Sequence, residues 1–395
     1  MISDKRLYFD YAAGTPLDDR VREAMLPYMS ETFGNPNSLH QFGREAAAAI
    51  DTARASIDNV LGISSAEILH RTVFVGSATE ANNVALRGAV RRMHERHGVE
   101  HPRIIISAIE HESIIETARD LEQWGAELII AQVNGDGFVD VSAIEKALTH
   151  NTAIVSVMHA NNVIGTIQPV SDVAKIVKEF RKKNGGEYPL LHTDAAQTGQ
   201  YPSCNVEELG VDMLTLSAHK MYGPKGIGLL YVRNRELITP LVTGGKQEFG
   251  MHAGTQNVPA IIGFECALTF ARQGYKKESE VLHALGLRLT AGLQEINPGI
   301  IVNGKEPRVA GIWNMYIPNV RAVDFIVQLD MAGIAVSVGS ACKAHVARIS
   351  HVFEAMGYTD ERREGNVRFS LGRHTTEKEI DDAISRIRSI LTVKK

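Results

Sequence analysis

Met213-Leu214-Thr215-Leu216-Ser217-Ala218-His219-Lys220-Met221-Tyr222-Gly223-Pro224-Lys225-Gly226-Ile227 is the stretch on which the fold turns. Apolar 213–217 reads as a strand and 227–232 as another, with a Gly-Pro turn between them. A lysine in that turn, just behind a hydroxyl and an imidazole, is costly to hold against a core. Enclosed lysines tend to lose their proton, and a neutral amine attacks carbonyls. Lys220 therefore suggests a Schiff-base lysine, with pyridoxal 5′-phosphate (PLP) as the leading cofactor.

Outward from this turn, strand-like runs lie at 73–75, 103–108, 127–131, 153–158 and 190–193. Amphipathic stretches at 79–96, 112–124 and 170–183 separate several of them. This alternation predicts an α/β fold, with a mostly parallel seven-stranded sheet covered on both faces. In such sheets ligands bind at the carboxyl ends of the strands, where most of the polar motifs fall. Beyond about residue 259 the pattern changes. Helices are expected at 261–273, 278–295, 323–332, 349–356 and 377–391, with strands at 311–317, 334–338 and 366–370. A large domain over 16–260 and a smaller α+β domain of 1–15 with 261–395 follow.

The chain has 395 residues, 44% hydrophobic and 22% charged, which is ordinary for a soluble enzyme. Its net charge of −4 gives no general attraction to nucleic acid or anionic membrane. No apolar run is long enough for a membrane span, and no secretory signal precedes Asp10. Three cysteines, Cys204, Cys266 and Cys342, are too few for a disulfide framework and suit a reducing cytoplasm. No metal site is expected.

Several motifs carry chemistry. Gly76-Ser77-Ala78-Thr79-Glu80-Ala81-Asn82 joins a strand to a helix, where free N–H groups favour a phosphate; a plain N-cap is the competing reading. Asp194, in His192-Thr193-Asp194-Ala195-Ala196-Gln197, can face a pocket and pair with a pyridine nitrogen, or merely cap a helix. His111, after the strand at 103–108, has the chemistry of a proton shuttle, although a lone histidine is often structural. Asn162 follows another strand and can donate to a carboxylate. Cys342 sits in Gly339-Ser340-Ala341-Cys342-Lys343-Ala344-His345, where polar and basic neighbours favour a thiolate, with an ordinary buried cysteine as the alternative. Arg368 has the fork geometry for a carboxylate, with a surface ion pair as the alternative.

Together these segments resemble a cysteine desulfurase of the NifS/IscS type, a class-V aminotransferase-fold PLP enzyme of fold type I. The resemblance starts at Tyr8-Phe9-Asp10-Tyr11-Ala12-Ala13-Gly14-Thr15-Pro16. It continues through Phe33-Gly34-Asn35-Pro36-Asn37-Ser38-Leu39-His40, Ala78-Thr79-Glu80-Ala81-Asn82-Asn83 and His159-Ala160-Asn161-Asn162. It closes at Arg368-Phe369-Ser370-Leu371-Gly372-Arg373. It implies that Lys220 holds PLP, His111 stacks on the ring as acid and base, and Asp194 meets the pyridine nitrogen. Gln197 would meet the ring hydroxyl. Ala78, Thr79, Ser217 and His219 would bind the phosphate, and Thr255 would add to it from the other subunit of a homodimer. Asn162 and Arg368 would hold the carboxylate of L-cysteine. The Cys342 thiolate would take the sulfur, alanine would leave, and the persulfide would pass to an acceptor protein such as an iron–sulfur scaffold.

Three departures from the family pattern stand out. Gln247-Glu248-Phe249-Gly250-Met251-His252-Ala253-Gly254-Thr255 has Phe249 and His252 where the family has arginines. Val163 replaces a common glutamate. The 343–349 stretch is more basic and lacks the usual Ser/Gly character. Alternatives on the same fold are a selenocysteine lyase or an aminotransferase. A non-catalytic scaffold for sulfur assembly is a third reading.

Overall fold

In a computed structural model of the protein, residues 6–63, 71–200, 204–339 and 350–392 are described. Cys342 lies outside them. The twelve strands among these residues are β1 (Leu7–Tyr8), β2 (Thr72–Val75), β3 (Arg103–Ser107), β4 (Glu127–Ala131), β5 (Thr152–Ser156), β6 (Leu190–Asp194), β7 (Met213–Ser217), β8 (Gly228–Val232), β9 (Ile301–Asn303), β10 (Ile312–Tyr316), β11 (Ile334–Ala335) and β12 (Asn366–Ser370).

Seven strands form one sheet in the order β2-β8-β7-β6-β5-β3-β4. β8 runs antiparallel to both its neighbours, while the other pairings are parallel. β2 therefore points the same way as β7, and six strands end on one side. This is the α/β fold with a mostly parallel sheet that the periodicity predicts, and all seven expected strands are present.

Alternation within the strands explains how both faces bury. Ile105, Val155, Leu191, Leu214 and Leu229 join one apolar core, while Ile104, Ile106, Ile154, Leu190, Met213 and Leu230 join the other. Successive side chains on a strand point to opposite faces, so strands apolar throughout fill two cores at once. Each fully buried Leu or Ile contributes about 1.5–3 kcal/mol relative to exposure.

A third core collects Leu282, Leu289, Trp313, Phe325, Phe369 and Ile380, with Leu7 and Phe9 from the start of the chain. It packs around the antiparallel sheet β12-β10-β9 and the short parallel pair β1-β11. The two helices expected at 261–273 and 278–295 are one helix, Val258–Ile296, of 39 residues. Gly274 interrupts the pattern but not the helix. A helical glycine costs about 1 kcal/mol, and burial of Phe264 and Leu268 on one side and Leu285 and Leu289 on the other outweighs it. The 334–338 run forms only a two-residue strand. No described helix is long and apolar enough to cross a membrane.

Candidate active site

A cleft of about 270 Å³ opens at the carboxyl ends of the parallel strands. It is lined by Ala78, Thr79, His111, Asn162, Asp194, Gln197, Ser217, His219, Lys220 and Arg368, so residues predicted separately across the chain meet in one place. Thr255 does not line it. Thr255 faces a smaller cavity with Gly76, Gly226 and His252.

Lys220 ends a single tight turn, Ala218–Lys220, directly after β7. Its Nζ donates to the carbonyls of Ala12 (2.6 Å) and Ala13 (2.9 Å). The turn is held from beneath. Tyr222 takes the left-handed conformation at φ 64°, which a bulky residue adopts only when its surroundings force it. Thr15 accepts from the Tyr222 N–H and donates to the His219 carbonyl. Burial and the charges of Lys220 and Lys225 push the His219 imidazole down to about 4, so it is neutral at pH 7. Its Nδ1 lies 2.8 Å from Ser217 Oγ.

Asp194 ends β6 and is buried. Its Oδ1 accepts the Ala196 N–H at 2.9 Å and its Oδ2 accepts Asn82 Nδ2 at 2.8 Å. The same Asn82 nitrogen donates to Ser113 Oγ, which lies 2.8 Å from His111 Nδ1. The Ser113 N–H also donates to that Nδ1, so a neutral His111 carries its proton on Nε2. His111 caps the Glu112–Gln123 helix, Asp194 makes an Asx turn in place of a helix cap, and both line the cleft.

The phosphate-type loop behaves likewise. Ser77 caps the Ala78–His97 helix by accepting the Glu80 N–H, and Glu80 reaches back to the Gly76 N–H. The N–H groups of Ala78 and Thr79 have no acceptor within the helix, and both residues line the cleft. Gly228 permits this turn, because a Cβ there would sit 2.5 Å from the Ser77 carbonyl carbon. His252 Nε2 meets Glu80 Oε1 at 2.8 Å and secures the loop from behind.

Arg368 is almost wholly buried on β12. Its Nη1 donates to the carbonyls of Asn162 and Gly339, both at 2.7 Å, and its Nη2 donates to Asp10 Oδ1 at 2.7 Å. The surface ion pair considered for it is therefore replaced by an internal one. Gln197 Nε2 donates to the Ala12 carbonyl. Gly339 lines the cleft, and a Cβ on it would lie 3.1 Å from Val163 and 3.6 Å from the Ser350 Cβ. Gly339 on the cleft wall and Ser350 therefore lie close together.

Asn82, Ser113 and Asp10 are members of the site to which the motifs assign no role. Asn82 had a signal: it interrupts the apolar stripe Ala78, Ala81, Ala85 and Ala89 on one helix face. Asp10 had none, because its partner is 358 positions away.

The donor set fits PLP. An acidic group faced by two N–H donors, a lysine, a stackable imidazole and a glycine-backed helix N-terminus share one cleft of suitable size. The class-V aminotransferase family matches residues 7–382. The cysteine desulfurase IscS of Dictyoglomus turgidum is 39% identical over 387 residues, 97% of this chain and 94% of that protein. A solved NifS-like protein superposes with a TM-score of 0.89 at 36% identity, covering 98% and 100% of the two chains. A structure described as SspA in complex with cysteine gives 0.79 at 32% identity, covering 94% and 100%. The chain belongs to the class-V aminotransferases, a PLP-using family, and within it to the cysteine desulfurases of the IscS/NifS type.

Proposed function

We propose that this chain removes sulfur from L-cysteine, releasing L-alanine and leaving a persulfide on Cys342 for an acceptor protein. The observation that carries the reading is the meeting of Lys220, Asp194, His111, Arg368 and the Ala78–Thr79 turn in one cleft. Lys220 would hold PLP and move the substrate α-proton. Asp194 would pair with the ring nitrogen, Gln197 with the ring hydroxyl, and Ala78, Thr79, Ser217 and His219 with the phosphate. PLP, when bound, supplies the electron sink that makes the α-proton labile. Neutral His219 would act there as a hydrogen-bond partner rather than a cation.

Arg368 and Asn162 receive the substrate carboxylate in this reading. Both Arg368 Nη atoms are engaged, so the carboxylate must join or displace Asp10 and the two carbonyls. His111, with Nδ1 committed to Ser113, would exchange a proton through Nε2. Cys342 follows the cleft-lining Gly339 by three residues. Its thiolate takes the substrate sulfur. The Cβ–S bond breaks with its electron pair left on Cβ, which is then protonated to give alanine.

The same reading includes a homodimer in which Thr255 of one copy reaches the phosphate site of the other. Exposed Leu26, Met29, Phe33, Leu39 and Phe42 support a covered surface near the start of the chain. It also includes the two-part division of the chain at 260/261, which the long helix crosses before it changes core near Gly274. The acceptor is taken to be an iron–sulfur scaffold. The test is a single turnover with cysteine and mass spectrometry of Cys342. One added sulfur, lost on reduction, with one alanine per site is expected. PLP absorbance with no alanine released would overturn the reading.

A further inference from the structure

Glu110 precedes His111 and is completely buried. Its Oε1 accepts from Ser107 Oγ at 2.5 Å and from the Met158 N–H at 2.7 Å. Ser107 ends β3, and Met158 lines the cleft just beyond β5. The Glu110 carbonyl lies 3.0 Å from His351 Nε2, at the start of the His351–Ala355 helix. Oε2 is enclosed and has no partner. One side chain and its own carbonyl thus bind three elements around the cleft: the His111 loop, the Met158 wall and the helix that follows the cysteine segment.

A carboxyl group is an expensive choice for such a tie. An unmade buried hydrogen bond costs about 1–3 kcal/mol, and an unpaired buried charge far more. Among the described residues no lysine or arginine pairs with Glu110. Of the titratable groups near it, Asp194 acts on it through space, His111 is its chain neighbour, His351 meets its carbonyl and His159 follows its partner Met158. Burial pushes His159 down to about 4, so it offers no cation at neutral pH. Asp194 adds repulsion. Burial raises the Glu110 carboxyl to about 8 against the opposing pull of the Ser107 and Met158 hydrogen bonds, and Asp194 adds the smallest contribution.

We propose that Glu110 is a positioning residue for the sulfur-removal reaction, clamping the His111 loop to the Met158 wall and to the His351 helix. The inference rests on His111 serving that reaction. The protonated carboxyl keeps its acceptor bonds through Oε1 and leaves only one O–H unmatched. Ionisation encloses a full charge beside Asp194, and the burial cost of that charge favours an open, hydrated clamp over the closed one. Activity therefore falls at alkaline pH for a structural reason seated outside the reacting atoms.

The experiment compares wild type, Glu110→Gln and Glu110→Ala as holoenzymes, by kcat and KM against pH and by amide hydrogen exchange of peptides covering 153–162 and 351–356. Glu110→Gln keeps the shape and an acceptor at Oε1 but cannot ionise. It should fold, retain the cysteine KM, and lose the alkaline fall near pH 8. Glu110→Ala should lower kcat about 10- to 100-fold, the cost of a small misplacement, with KM changed less than about threefold and faster exchange in both peptides. If Glu110→Ala does not fold, the Glu110→Gln pH profile decides alone. A Glu110→Gln profile identical to wild type, or unchanged exchange and kcat in Glu110→Ala, overturns the inference. Wild type that releases no alanine would instead overturn the sulfur-removal reading, and the exchange data would still judge the clamp.

Discussion

Replacing Arg54 with methionine isolates the strongest buried ion pair in the large core. Arg54 Nη2 meets both Glu248 oxygens, at 2.9 and 3.0 Å, with the two side chains 3% and 2% exposed. Glu248 Oε2 also accepts the Phe74 N–H at 2.9 Å, and Arg54 Nη1 donates to the Thr72 carbonyl. Arg54 further lies over the rings of Phe74 and Phe249. The pair therefore fixes the segment that leads to Thr255, where Glu248 and Phe249 both take positive φ. Arg54→Met strands a buried carboxylate and should cost about 3–5 kcal/mol. In Arg54→Met/Glu248→Met no bare charge remains. The Phe74 N–H, the Thr72 carbonyl and Gln256 Nε2 lose partners, at about 1–3 kcal/mol each at most. The double variant should be less destabilised than the two single losses combined, with a coupling above about 2 kcal/mol. Equilibrium urea unfolding followed by circular dichroism measures this. Additive losses, or an Arg54→Met loss below about 1 kcal/mol, would refute the reasoning.

The buried histidines predict acid sensitivity. His159, 2.9 Å from Thr198 Oγ1, is pushed by burial from 6.5 to about 4. Between those values the unfolded chain binds the proton and the folded chain does not, so this stability is full above about 6.5 and lost as pH falls toward 4. His159→Gln should flatten the loss by up to about 3 kcal/mol in urea midpoints compared at pH 7 and pH 4.5; an unchanged pH slope would count against it. Val163 packs with Ile109, Met158, Val352 and Phe353. Introducing a carboxylate there by Val163→Glu should cost at least about 2 kcal/mol, and a loss below about 0.5 kcal/mol by the same assay would mean the wall yields.

The large sheet was legible because its strands are apolar on both faces and alternate with amphipathic helices, a pattern that depends only on neighbours in sequence. The reversal of β8 was readable too, since the Lys220 turn is too short for a crossover helix. The unbroken helix across Gly274 was not, because two separate cores override a local signal. In the site, Lys220, Asp194, His111 and the Ala78–Thr79 turn announced themselves by standing at strand ends. Their roles as caps and turn formers did not compete with their place in the cleft. The Arg368–Asp10 pair and the Glu110 clamp join residues far apart in the chain, and no periodicity encodes such a meeting. The family resemblance read from the motifs likewise singles out Val163 without revealing that it sits among apolar side chains.

The helix Val258–Ile296 bears on how the molecule comes apart. At about 1.5 Å per residue it is a rod nearly 60 Å long, and its two ends are embedded in different cores. Neither core can melt alone without stripping half of the rod of its packing. Heat and denaturant should therefore meet one shared transition rather than two. The rod also turns any rocking between the two parts into elastic bending. The least resistant point is Gly274, which carries no side chain to brace the curve.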